Sequence, residues 1–121
     1  MRKWLLCLAV MLPFGVHADF MEVIEVRLKD DCSFGEYLQI VQDFNAWARE
    51  RGYEAEIAAP LHSDDVKSLY WMGRTRDAAT FGEAWDAWRA ALGDPDSEPA
   101  KLSARFGECV TNLSRRSYDV Y

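Results

Sequence analysis

From Glu22 to Lys29 the chain alternates, with Ile24, Val26 and Leu28 on one side and Glu25, Arg27 and Lys29 on the other. A period of two predicts a half-buried strand. Ser33-Phe34-Gly35-Glu36 follows, a capping box in which the hydroxyl and the glutamate satisfy backbone N–H groups at a helix start. Tyr37, Ile40, Val41, Phe44, Trp47 and Ala48 then recur at spacings of three and four and stop at Gly52, which predicts an amphipathic helix with a glycine stop. The same sentence is written again 47 residues later. Leu69 to Thr75 reads as a strand, Thr80-Phe81-Gly82-Glu83 as a second capping box, and Ala84, Trp85, Trp88, Ala91 and Leu92 as a helix stopped by Gly93. Between the copies, Ala55 to Ala59 reads as a strand. Beyond the polar turn Asp94-Pro95-Asp96-Ser97-Glu98-Pro99, Ala100 to Val110 reads as a short extra helix with Pro99 in its first turn, and Asn112 to Tyr121 as a last strand.

The first eighteen residues break this pattern. Arg2 and Lys3 precede the apolar run Trp4 to Leu12, Pro13 and Gly15 follow, and Val16-His17-Ala18 ends the stretch. This is the layout of a secretory signal peptide, with a run too short to span a bilayer. The expectation is a leader over 1–18, one domain over 19–121, a periplasmic or secreted location, and no membrane attachment after cleavage. Half of the 121 residues are hydrophobic, which excludes intrinsic disorder. A net charge of −6 argues against nucleic acid as a partner, and it grows more negative once Arg2 and Lys3 leave. Cys7 leaves with the leader, so Cys32 and Cys109 remain. Two cysteines in an oxidising compartment usually pair. Their spacing, with His62 the one histidine left after cleavage, matches no zinc pattern and no Cys-x-x-Cys redox motif.

The element order is β-α-β-β-α-(α)-β, an α+β, ferredoxin-like plan: an antiparallel sheet with helices on one face. The echoed strand-helix halves are what its pseudo-twofold requires. In this plan the first and last strands are antiparallel neighbours. Cys32, just after the first, therefore meets Cys109, just before the last. The plan, the extra helix and the aromatic helices resemble the dimeric α+β barrel superfamily over most of residues 21–121. Its members include antibiotic-biosynthesis-type and haem-degrading monooxygenases, stress-responsive barrel proteins and NIPSNAP-like proteins. The chain also resembles small exported bacterial proteins of this layout. The resemblance implies a homodimer with two sheets packed face to face, often around a small-molecule pocket.

The alternation assigns Ile24, Val26, Leu28, Trp71, Gly73 and Thr75 to the helix side. Glu25, Arg27, Tyr70, Met72 and Arg74 fall on the other face, where Arg27 and Arg74 are equivalent under the 47-residue shift. One reading is a pocket for a small anionic or carbonyl-bearing molecule, since arginine recognises carboxylates with a planar fork and Tyr70 and Met72 add apolar contact. The plainer reading is that Glu25, Arg27 and Arg74 pair with one another across strands. His62, in Pro60-Leu61-His62-Ser63-Asp64-Asp65, is either a haem or metal ligand, a general base, or a solvated loop histidine beside acids; the last is the commoner case. Trp47, Trp85 and Trp88 read as core before they read as a ligand cage. No nucleophile elbow, phosphate loop, dinucleotide fingerprint or zincin motif is present. No cofactor or metal is expected. Three functions fit: an exported dimeric barrel that binds a small molecule on the sheet face, a barrel-type monooxygenase-like enzyme using Arg27, Tyr70, Arg74 and His62, or a module that only dimerises.

Overall fold

A computed structural model describes residues 17–121. The expected leader therefore lies, up to residue 16, outside the described residues. Four strands and three α-helices follow in the order β1 (Asp19–Leu28), α1 (Phe34–Ala48), β2 (Glu54–Ala58), β3 (Leu69–Thr75), α2 (Ala78–Ala91), α3 (Glu98–Cys109) and β4 (Val110–Val120). A 3-10 turn over Arg49–Arg51 joins α1 to β2. Strand order is β2-β3-β1-β4 with every neighbouring pair antiparallel, the ferredoxin-like plan read from the sequence.

Local chemistry explains most boundaries. Ser33 caps α1 with the full capping box, its Oγ accepting from the Glu36 N–H and the Glu36 carboxylate accepting from the Ser33 N–H. The helical run closes at Gly52, whose φ of 73° is the left-handed conformation that L-residues avoid. The second expected capping box is not one. Asp77 caps α2, accepting from the Thr80 N–H at 2.7 Å, so the helix starts three residues earlier than Thr80-Phe81-Gly82-Glu83 suggests. An aspartate is a better N-cap acceptor than a threonine, and Asp77 takes the Thr80 N–H. Thr80 instead lies buried in the first turn. Ser97 caps α3, and Pro99 sits in its first turn. The last strand begins at Val110, two residues before the expected Asn112, because α3 runs directly into it.

The helices cover one face of the sheet. Ile24 and Val26 of β1 and Leu69 and Trp71 of β3 meet Tyr37, Ile40, Val41, Phe44 and Ala48 of α1, Ala84 of α2 and Leu102 of α3. Burying such side chains contributes roughly 1.5–3 kcal/mol each. Cys32 and Cys109 stand at disulfide-bonding distance with Cα atoms 5.0 Å apart, closing the corner where β1 ends and β4 begins. No helix among the described residues is long and apolar enough to cross a membrane.

Candidate functional site

The residues singled out on the open sheet face do share that face, in two groups. Around β1, Arg27 forms an ion pair with Asp65, from the loop before β3, and its Nε lies 3.5 Å from the Ser68 hydroxyl. That hydroxyl donates to Glu25 at 2.7 Å, and the Ser114 hydroxyl reaches the other Glu25 oxygen at 3.3 Å. Tyr70 stands opposite Glu25 in the β1–β3 register. Further along, Met72 is half-buried opposite Val23, and Arg74 is exposed between Met21 on one side and Glu54 on the other. Arg27 is thus tied to a loop carboxylate rather than to Glu25 or to its pseudo-symmetric partner Arg74. Asp65 accepts the Lys67 N–H as well as Arg27, and these bonds lower its carboxyl from 3.8 to about 2. His62 is exposed in the 59–68 loop, three residues before Asp65. The described residues contain no cluster of His, Cys, Asp and Glu fit to hold a metal ion.

A half-open space lies on the other side, between the sheet and the helices. A cavity of about 230 Å³ is walled by Phe44 and Trp47 of α1, Phe81, Trp85 and Trp88 of α2, Phe106 of α3, and Trp71 of β3. Trp71, Trp88 and Phe106 pack edge-to-face around Phe44, which meets Trp71 at 4.9 Å and Trp88 at 5.4 Å between centroids, the geometry aromatic quadrupoles favour. Trp47, Trp85 and Trp88 are therefore both core and lining. They are half-buried, and their inner faces border open volume.

Charge enters this aromatic chamber at one point. Glu22 lies on β1, on the side of Ile24 and Val26, and is 4% exposed. One carboxylate oxygen accepts from the Tyr53 hydroxyl at 3.1 Å, and the other lies 3.1 Å from Arg115 Nε. Tyr53 Oη in turn accepts from the Trp71 indole N–H at 2.7 Å. Arg115 is steadied by Trp85, whose ring centroid is 5.1 Å from the guanidinium carbon. Burial raises the Glu22 carboxyl above its ordinary value, and the opposing effects of Arg115 and Tyr53 do not cancel it. Burial likewise pushes the Tyr53 phenol up, which keeps its proton in place to donate.

Gly73 makes this arrangement sterically possible. It is the register partner of Glu22 on one side and of Ala55 on the other. The Tyr53 ring lies across it, and a Cβ at position 73 would overlap the Tyr53 hydroxyl. The missing side chain leaves the gap through which Tyr53 reaches Glu22. Arg115 and Asn112, the exposed lining residues, both belong to the edge strand β4, which places the opening there.

None of Glu22, Tyr53 and Arg115 was marked by sequence reasoning as a site residue. One signal was legible. Glu22 shares the parity of Ile24 and Val26, so an acid stands on the face that must be buried, and buried acids need partners. The partners are not legible, because Tyr53 and Arg115 lie 31 and 93 positions away.

No protein-family model matches the chain, and no curated protein matches it. Solved structures do. The cofactor-independent oxygenase SnoaB from Streptomyces nogalater is similar with a TM-score of 0.56 at 12% identity, covering 86% of this chain and 94% of that one. A hydroxynitrile lyase from Passiflora edulis gives 0.54 at 13% identity, covering 85% and 94%. A dimeric ferredoxin-like protein of unknown function from Thermobifida fusca gives 0.57 at 8% identity, covering 90% and 97%. At such identities the likeness is one of fold. The chain has the ferredoxin-like α+β fold found in dimeric α+β barrel proteins.

Proposed function

We propose that this chain binds a small, planar, largely apolar molecule in the cavity between its sheet and helices. The observation that carries this reading is a 230 Å³ aromatic chamber with Glu22, Tyr53 and Arg115 converging on one side. Ligand sites combine an apolar lining with a few placed polar groups, and this volume suits a molecule of one or two rings. We assign the ligand to this side rather than to the open sheet face, where Arg27 is already tied to Asp65. The open face presents half-buried Met21, Val23 and Met72 beside exposed Tyr70 and Tyr118. It is our candidate for the contact with a second copy of the chain, in line with the dimeric description of the Thermobifida structure. Export rests on the residue pattern over 1–18, and an N-terminus at Asp19 in the secreted protein would support it.

Titration with 2-tetralone, a flat bicyclic ketone, followed by tryptophan fluorescence, tests the ligand site. Saturable quenching is expected, because Trp47, Trp71, Trp85 and Trp88 all border the chamber. Ser103→Phe places a ring into the same space and should abolish the quenching while circular dichroism stays unchanged. Quenching that persists in a folded Ser103→Phe variant would show that the chamber is not the site. Light scattering reads the second copy directly, and a monomeric mass would remove the dimer from the proposal.

A further inference from the structure

Glu22 is the one carboxylate that lines the chamber, and its environment is arranged for more than holding a strand in place. A buried acid needed only for sheet stability is well served by apolar replacement. Here the carboxylate borders open volume, has a hydroxyl on one oxygen and a guanidinium beside the other, and stands among aromatic rings. Building on the ligand site above, we propose that Glu22 is a general base that moves a proton on an enolisable carbonyl compound with an aromatic skeleton, with Arg115 holding the oxyanion that forms.

The step needs nothing beyond the protein and the substrate. A Glu22 oxygen takes a proton from the carbon beside the carbonyl. The C–H electron pair becomes the new C=C bond, and the C=O pair moves onto oxygen as an enolate. Arg115 lines the same chamber. Its Nε is engaged with Glu22, and the two terminal nitrogens carry the remaining donors of the guanidinium fork. Glu22 then returns the proton to the same carbon or to a conjugated one, so the net reaction is exchange or isomerisation, with no change of oxidation state. A preorganised donor beside developing negative charge stabilises it without reorganisation at the moment of reaction. A carboxylate whose burial raises its proton affinity is the better base near neutral pH. Tyr53 acts as a positioning residue. Held by the Trp71 indole N–H, it fixes the carboxylate through the oxygen that Arg115 does not engage. The charged or titratable groups lining the chamber besides Glu22 are Arg115 of β4, Tyr53 at the start of β2 and Tyr37 of α1. Burial raises the Tyr37 phenol, so it stays protonated while Glu22 titrates.

Deuterium wash-in at the carbons beside the 2-tetralone carbonyl, followed by NMR in D2O with the folded protein, tests this. The wild type should exchange faster than buffer at the same pH, with a rate that rises along a single titration above the ordinary glutamate value of 4.5. Glu22→Gln keeps the shape and should lower the exchange rate, measured at saturating 2-tetralone, about 100-fold or more. Glu22→Asp, with its carboxylate drawn back, should keep measurable exchange. Tyr53→Phe removes a hydrogen bond that lowers the Glu22 carboxyl, so it should move the titration upward, which a purely structural role would not do. If wild-type protein quenches normally but exchanges no faster than buffer, or if Glu22→Gln exchanges like wild type, the base assignment is overturned and the ligand site stands. If 2-tetralone does not bind, the ligand site fails, and the base assignment with it.

Discussion

A glycine and a tyrosine show how much of this site depends on single positions. Gly73 sits in the middle of β3, where a residue without a side chain normally weakens a strand. It is tolerated here because the ring of Tyr53 occupies the space its side chain would fill. Gly73→Ala should therefore destabilise the protein by about 1–3 kcal/mol, the usual cost of overpacking, measured by urea denaturation. The mechanism makes a sharper statement than the magnitude. In a Tyr53→Ala background the added methyl has room, so the two changes together should cost less than the sum of their separate costs. Strict additivity in that double-mutant cycle would mean that the Tyr53 ring is not what excludes a side chain at 73. The same scale explains why Glu22 escaped notice. A single acid in an alternating run looks like a solvated end of a strand until its partners are known.

Among the elements, the duplicated strand-helix unit is the most legible feature, and its two copies differ where it matters. The first helix starts at a complete capping box, and Ser33→Ala should cost about 1 kcal/mol in chemical denaturation, with the loss seated at the start of α1 in hydrogen exchange. A change near zero would show that the cap is dispensable there. The second helix starts on Asp77, although Thr80-Phe81-Gly82-Glu83 repeats the first motif letter for letter in type. The motif is a local signal, and a stronger acceptor three residues earlier overrides it. β1 was readable from alternation and β3 from the 47-residue echo. β3 spans Leu69–Thr75 as expected, and β1 carries Ile24, Val26 and Leu28 toward the helices. Helix α3 illustrates a different limit. Its existence and its proline were legible, but its continuation into β4 without a loop was not.

For the whole molecule, the link between Cys32 and Cys109 ties the two ends of the sequence across 77 positions. Closing a loop of that length removes denatured-state entropy worth about 4.5 kcal/mol in the chain-entropy treatment. Replacing both cysteines by serine should lower stability by an amount of that order, measured by denaturation of oxidised wild type against the double variant. An unchanged midpoint would show that the pair contributes nothing. The corner it closes also supports the chamber. Cys109 ends the helix that supplies Ser103 and Phe106, and β4, which supplies Asn112 and Arg115, begins at the next residue. The double variant should accordingly bind 2-tetralone more weakly as well as unfold sooner.

The sequence by itself determined the element order, the ferredoxin-like plan, the face β1 and β3 turn to the helices and the meeting of Cys32 with Cys109. Each of these follows from local periodicity or from topology that local periodicity implies. Tertiary structure alone decided where an interior space is left and which polar groups meet in it. Glu22, Tyr53 and Arg115 come from three separate strands or strand edges. Their convergence depends on register, on the gap at Gly73 and on how nine aromatic rings fail to fill the volume between sheet and helices. Packing is a property of side chains distant in sequence, and no pattern of neighbours along the chain encodes it directly.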